Sequence, residues 1–410
     1  MRDACILISG GTVKGFSANP PPGGRIYNAG SRYVVPGLID LHVHLRGLRL
    51  SYKEDEESGT KAALSAGITL VVDMPNTLPP LKSPEALDAK LSILEARSYT
   101  DYGVYAGLPE EKSTLRSLLS RPIAGLKIYP RDMDVLARLS PLIPRDLLVV
   151  LHPELPEADK VHADSDEQRA VLRHEYMEAA AVLLAADTLH SARLHVTHVT
   201  SPSTIRAARS IGATIDTTVN YIYSLQCRDC LCKVNPPRRR RPWDMLLRVI
   251  EGDIDCIASD HAPHTSREKS MDYLICPPGI AGIEHWPWLL YGLVAAGALS
   301  LDDYVALASR NPARILGIRD LYGVLAPGAR ANILVIDTRE RRRIIGNMFS
   351  KAKETPYWMM EARGAPKAVF IGGCLAAEDG VVGERSFNPL NPFKPPAQRR
   401  EGVVHGEPKG

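Results

Sequence analysis

The chain has 410 residues, 45% of them hydrophobic and 24% charged, with a formal net charge of +3. That length is enough to bury a large core, and so small a charge does not point to a nucleic-acid or anionic-surface binder. No apolar stretch reaches the ~18 residues of a membrane span, and the start "MRDACILISGG" lacks the pattern of a secretory signal, so a soluble cytoplasmic protein is expected, with neither membrane nor nucleic acid as partner.

In chain order, residues 1–35 carry a strand-like piece, "CILISGG", and residues 36–322 alternate short β-branched runs with amphipathic helical stretches. Eight such runs occur: "LIDLHVH" (38–44), "ITLVVDM" (68–74), "YGVYAGL" (102–108), "AGLKIY" (124–129), "LLVVLH" (147–152), "RLHVTHV" (193–199), "ATIDTT" (213–218) and "IDCIASD" (254–260). Eight strands in α/β alternation predict a (β/α)8 TIM barrel. Residues 323–385 add "GVLAPGARANILVID" and "PKAVFIGG", broken by Gly and Pro, so the two chain ends are expected to form one small β domain. Residues 386–410, rich in Pro and charge, read as an extended tail.

Two arginine-rich runs, 238–241 and 339–343, lack interleaved aromatics and are expected to form solvated, ion-paired faces. The seven cysteines are scattered; only Cys227, Cys230 and Cys232 lie close together, without the second ligand pair a zinc site needs. A plain loop in a reducing compartment is the expectation there.

In a TIM barrel the chemistry sits at the C-terminal ends of the strands, and the polar residues of this chain fall there. His42 and His44 end the first run, Asn76 follows the second, and Lys127 lies in the fourth. His152 ends the fifth, His198 lies in the sixth, and Asp260 ends the eighth, with His264 beyond it. The third and seventh runs supply nothing obvious. His42 and His44, two apart on a strand, project the same way and can share a cation. An H-x-H pair alone is weak, but imidazoles and a carboxylate at several strand ends form a zinc-type donor set. Lys127 in an apolar strand is costly as an ammonium; it either snorkels to the rim or adds CO2, giving a carbamate able to bridge two metals.

The segments "VPGLIDLHVHLR", "VVDMPNT", "GLKIY", "LHVTHVTS", "KVNPP", "IASDHAPHT", "PPGIAGIE" and "SRNPARILGI" together resemble the dihydroorotases of the amidohydrolase superfamily. The resemblance implies a two-zinc enzyme that reversibly hydrolyses dihydroorotate to N-carbamoyl-aspartate in pyrimidine synthesis. By position, His42, His44 and Asp260 would hold one zinc, His152 and His198 the other, and carboxylated Lys127 would bridge them. Asp260 would also move the proton from the attacking water to the leaving nitrogen. Arg46, Asn76 and His264 match positions that grip the substrate carboxylate, while Asn235 and Gly279 match segments near the ring. Of the histidines in "LHVTHV" the motif selects His198, and strand parity puts His195 on the opposite side, against the helical layer.

The chain departs from the family pattern in "RGLRL" after H-x-H, in "LHPE" for H-A-E, and in "TVNYIYSLQCRDCLC" for a longer T-P-H-H segment. These changes fall in loops and touch substrate detail and lid, not the metal ligands. Dihydropyrimidinases or hydantoinases, and allantoinases, are the alternatives within the superfamily. An inactive scaffold subunit for aspartate transcarbamoylase is the alternative outside catalysis. The partners left open are a second copy of the chain and aspartate transcarbamoylase.

Overall fold

The computed structural model describes residues 4–189, 192–225 and 229–395. Its strands are β1 (Cys5–Ser9), β2 (Thr12–Ser17), β3 (Tyr33–Pro36), β4 (Leu38–Val43), β5 (Ile68–Asp73), β6 (Asp101–Gly107), β7 (Gly125–Ile128), β8 (Leu148–Leu151), β9 (Arg193–Val196), β10 (Thr214–Thr217), β11 (Cys256–Ile257), β12 (Ile333–Arg343), β13 (Glu361–Ile371), β14 (Cys374–Glu378) and β15 (Val381–Val382). Strands β4 to β11 lie in sequence order in one parallel sheet, and each falls on one of the eight apolar runs. A bridge between Val43 and His261, with the His44 amide donating to the His261 carbonyl at 2.8 Å, brings the last strand round to the first. The (β/α)8 barrel read from the alternation is therefore present.

Local signals start and stop the helices between these strands. Asp55 caps the helix Glu56–Ser65 in a reciprocal box with Ser58, and Ser83 and Ser201 cap the helices that open with Pro84 and Pro202. Gly67, at φ +92°, turns the first of these helices into β5 where Leu334 leaves no room for a side chain. Apolar residues then sort into two cores. Ile39, Leu41, Leu70, Val72 and Val150 fill the barrel together with the segment from Ala313 to Tyr322, while Val71, Val104, Leu126, Val149 and Val196 pack against the helices.

Strands β12 to β15 and β3 form a separate antiparallel sheet in the order β15-β14-β13-β12-β3, with Val35 opposite Leu334. The β1–β2 hairpin joins it through Val13 N to Ala329 O and Ala331 N to Gly11 O, both 2.8 Å. Both chain ends thus contribute to the small β structure. The start of the expected tail does not stand free: the Leu390 amide donates to Asp101 Oδ1 at 2.7 Å, and the Tyr102 amide to the Leu390 carbonyl. Residues 396–410 lie outside the described residues.

Two expectations are corrected. Cys230 forms a disulfide with Cys276, 46 residues away, so the segment is not a plain reduced loop; a partner that distant leaves no local spacing to read. Cys227 lies outside the described residues. In the 238–241 run, Arg238 and Arg239 are ion-paired but largely sheltered, on Asp166 and Glu178, because both turn inward against the segment that follows β8; Arg240 and Arg241 are exposed.

Candidate metal centre

Three buried side chains meet where β4 and the segment after β11 adjoin. His42 Nε2 and His44 Nε2 each stand 3.3 Å from Asp260 Oδ1. One donor atom from each of the three lies within 4.8 Å of the others. Hydrogen bonding assigns the ring protons. Thr197 Oγ1 has one proton and gives it to Asp216 Oδ2 at 2.9 Å, so its contact with His42 Nδ1 requires that nitrogen to donate. His44 Nδ1 likewise donates to Asn76 Oδ1 at 2.6 Å. Both Nε2 atoms are then lone pairs facing a carboxylate, with burial holding both imidazoles below their usual pKa. Lone pairs and an anion at this range repel unless a cation sits among them, so the donor set fits a metal.

The fourth, fifth and sixth barrel strands extend the cluster. The His198 ring lies 5.2 Å from that of His42 and 4.6 Å from that of His152, and His198 Nδ1 is buried without a partner. Lys127 is 0% exposed and its Nζ has no hydrogen-bond partner. Burial pushes it down to about 7 against the pull of Asp216 and Asp260, so a substantial share of the amine is uncharged near neutral pH and available to react. His152 Nε2 bonds Glu154 Oε2 at 2.8 Å. Burial opposes charge on Glu154, but His152 and Arg173 overcome it and hold the carboxyl down at about 2.

Backbone strain gathers at the same place. Six non-glycine residues among those described have positive φ, and Arg46 (+56°), His198 (+41°) and Asp260 (+46°) are three of them. The turn at His198 also overturns the parity argument for His195. Val196 packs outward, so His195 points into the barrel, where its Nε2 bonds Asp216 Oδ2 at 2.8 Å. Beyond Val196 the strand has ended, and alternation no longer tells where His198 points.

The anion-side residues converge beside this cluster. Lys53 Nζ donates to His264 Nδ1 at 3.1 Å, which leaves the proton on Nε2, donated to the Pro278 carbonyl at 3.1 Å. Burial and the cations of Arg46, Lys53 and Lys269 hold His264 down at about 2. Arg46 is buried beside it, with Nε donating to the Pro263 carbonyl at 3.3 Å and Nη2 3.2 Å from His264 Nε2. Since that nitrogen bears a proton, it cannot accept from Arg46. Among the described residues the guanidinium bonds no carboxylate, which leaves a buried cation lacking an anion.

Gly279, at φ +146°, lets its loop close on His264: a Cβ would lie 2.3 Å from the Ala262 carbonyl oxygen and 3.1 Å from His264 Cδ2. Asn235 Oδ1 is taken up by Arg169 and Arg173 rather than left free. Asn76 is engaged through Oδ1 by His44.

Several contributors escaped the sequence reading. Asp216, on the strand that offered nothing obvious, receives Thr197 Oγ1, His195 Nε2 and the His198 amide. Its position two before the end of "ATIDTT" was the only signal available. Lys53, Glu154 and Arg173 sit in loops or at a helix end, where spacing carries no information about what they face.

The sequence matches the amidohydrolase family over residues 33–376, and the chain belongs to that family. Among its relatives, a protein named dihydroorotase from Aeropyrum pernix is 40% identical over 93% of this chain and 93% of its own length. Another of that name from Sulfolobus acidocaldarius is 39% identical over 87% of this chain and 86% of the relative. Among solved structures, an L-hydantoinase (dihydropyrimidinase) from Arthrobacter aurescens superposes with a TM-score of 0.83 over 92% of this chain and 93% of that one, at 23% identity. That likeness is one of fold. No helix among the described residues is long and apolar enough to cross a membrane.

Proposed function

We propose that this chain is a dihydroorotase, hydrolysing the cyclic amide of (S)-dihydroorotate reversibly to N-carbamoyl-L-aspartate in the synthesis of UMP. It is a hydrolase of carbon–nitrogen bonds in cyclic amides, as its family and its dihydroorotase relatives support. The observation that carries the choice of substrate is the buried guanidinium of Arg46 next to a metal-type donor set. A dihydroorotate carboxylate supplies the anion it lacks, whereas hydantoins and dihydropyrimidines, the substrates of the alternative reading, carry no such group.

On this reading two zinc ions would be held, one by His42, His44 and Asp260 and the other by His152 and His198. Lys127 would supply a further ligand as a carbamate, once CO2 has added to its neutral amine with loss of one proton. Bound, the cations supply Lewis acidity for the ring carbonyl and lower the pKa of water from 15.7 to about 7. The chain's own residues do the rest. Arg46 and His264 hold the substrate carboxylate, with Asn76 steadying His44 beside them and Gly279 letting the loop close. Asp260 takes the proton of the attacking water on its carboxylate and passes it to the amide nitrogen as the C–N bond breaks. An inactive scaffold would have little reason to keep every one of these groups. Association with a second copy or with aspartate transcarbamoylase, and a cytoplasmic setting, remain part of this proposal.

The test is a comparison of dihydroorotate with hydantoin, dihydrouracil and allantoin on zinc-loaded protein and on Arg46→Met. Wild type should prefer dihydroorotate. The variant should lose ~1.5–3 kcal/mol of binding on that substrate alone, the worth of a hydrogen bond to a charged group. Equal losses on charged and uncharged rings would favour the hydantoinase reading instead.

A further inference from the structure

Behind His152 lies a chain of buried charge that the reaction as described does not use. Glu154 Oε2 accepts from His152 Nε2 at 2.8 Å, and the guanidinium of Arg173 forks onto the same carboxylate, through Nε to Oε1 at 2.8 Å and Nη2 to Oε2. The third arm of the fork, Nη1, donates to Asn235 Oδ1 at 2.8 Å, where Arg169 also donates; Arg169 Nη1 holds the neighbouring Val234 carbonyl at 3.0 Å. His152, Glu154, Arg173 and Arg169 are all buried.

A carboxylate receiving a two-pronged guanidinium keeps its charge and has no proton to give. His152 Nε2 must therefore be the donor, and the lone pair stands on Nδ1. The ring cannot exchange tautomers without leaving Glu154 facing a second lone pair. Arg173 closes the helix Asp166–Leu172, and Asn235 sits in the segment after β10. The guanidinium thus joins a histidine at the end of β8 to a loop from another strand.

We propose that Glu154 and Arg173 are positioning residues that fix His152 with Nδ1 free for the second cation, and that Asn235 braces this pair rather than contacting the ring. The inference rests on the two-cation reading above. It assigns Asn235 differently from the sequence resemblance: its carbonyl oxygen is committed to two arginines and has little left for a ligand.

The test is chelator resistance of the zinc-loaded full-length protein, read by elemental analysis. Wild type, Glu154→Gln, Arg173→Lys and Asn235→Ala are compared. Glu154→Gln and Arg173→Lys should each give up one of two zinc equivalents at 10- to 100-fold lower chelator than wild type, the usual effect of removing a ligand's supporting partner. The other equivalent should stay on His42, His44 and Asp260, and excess zinc should restore turnover. Asn235→Ala should show a smaller shift in the same direction, with KM for dihydroorotate changed less than kcat. Variants that keep both equivalents at the wild-type chelator concentration, with only the thermal midpoint lowered, would overturn the proposal by making the pair a fastening for the helix. Wild type holding a single equivalent would remove the two-cation reading itself, and this role with it. Arg173→Lys retains the charge and serves should Glu154→Gln fail to fold.

Discussion

Three imidazoles of the candidate site present one nitrogen to the centre and commit the other to a neighbour. His42 gives its Nδ1 proton to Thr197, His44 to Asn76, and His152 its Nε2 proton to Glu154, so each of these three rings is oriented by the bond it makes on the far side. Asp260 carries two proposed roles, cation ligand and proton carrier, and substitution separates them. Asn keeps the size and one ligating oxygen but cannot accept the proton. Asp260→Asn should therefore retain much of its zinc yet lose roughly 10² to 10⁴ in turnover. Metal content and rate measured on one preparation decide the matter, because activity falling only in step with lost zinc would leave Asp260 a ligand alone.

At the scale of elements, the barrel is a frame on which loops are fastened by buried charge. The helix Pro84–Arg97 contributes Lys90, fully buried, whose Nζ meets Glu56 Oε1 at 2.6 Å, Asp73 Oδ2 at 2.7 Å and the Arg46 carbonyl at 3.2 Å. Asp73 in turn takes the Leu45 amide at 2.8 Å. The turn that presents Arg46 is so tight that a Cβ at Gly47 would lie 2.0 Å from Glu56 Oε1. Lys90 thus holds a strained turn from behind. Lys90→Met would leave two carboxylates buried without their cation, and denaturant unfolding should show a loss of about 3–5 kcal/mol. In material that still folds, KM for dihydroorotate should rise more than for hydantoin. An unchanged preference between the two rings would mean that the lysine supports the fold without steering Arg46.

Across the whole molecule, covalent and antiparallel links tie distant parts together. The Cys230–Cys276 bond joins the segment after β10 to the one after β11, and both lead into site residues: Lys233 O accepts the Gly279 amide at 2.8 Å, and Lys233 Nζ donates to the Cys276 carbonyl at 2.8 Å. With its ends 46 positions apart in sequence, the crosslink should stabilise the fold by roughly 2–4 kcal/mol. Cys276→Ser should lower the unfolding free energy by that amount in non-reducing buffer, and the difference from wild type should vanish in strong reductant. A wild-type midpoint that ignores reductant would mean that the bond adds nothing to stability.

The sequence by itself determined the barrel and set candidate site residues at the ends of its strands. Eight apolar runs in α/β alternation become eight parallel strands because hydrophobic period and chain connection leave little choice. Residues such as His42, His44, Lys127, His152 and Asp260 were legible as candidates because a parallel barrel sends the ends of all its strands to one face. What only the tertiary structure decided are the contacts that no spacing encodes. His195 points inward by plain alternation with Val196, and the parity argument failed at His198, where the chain has left the strand and φ becomes positive. Asp216, Glu154, Arg173 and Lys90 gained their parts from neighbours far away in sequence, as Cys276 gained Cys230. Period and motif record what a residue does within its own segment. Which ring nitrogen is free, which guanidinium lacks an anion and which carboxylate is already taken depend on partners that only folding brings within 3 Å or so.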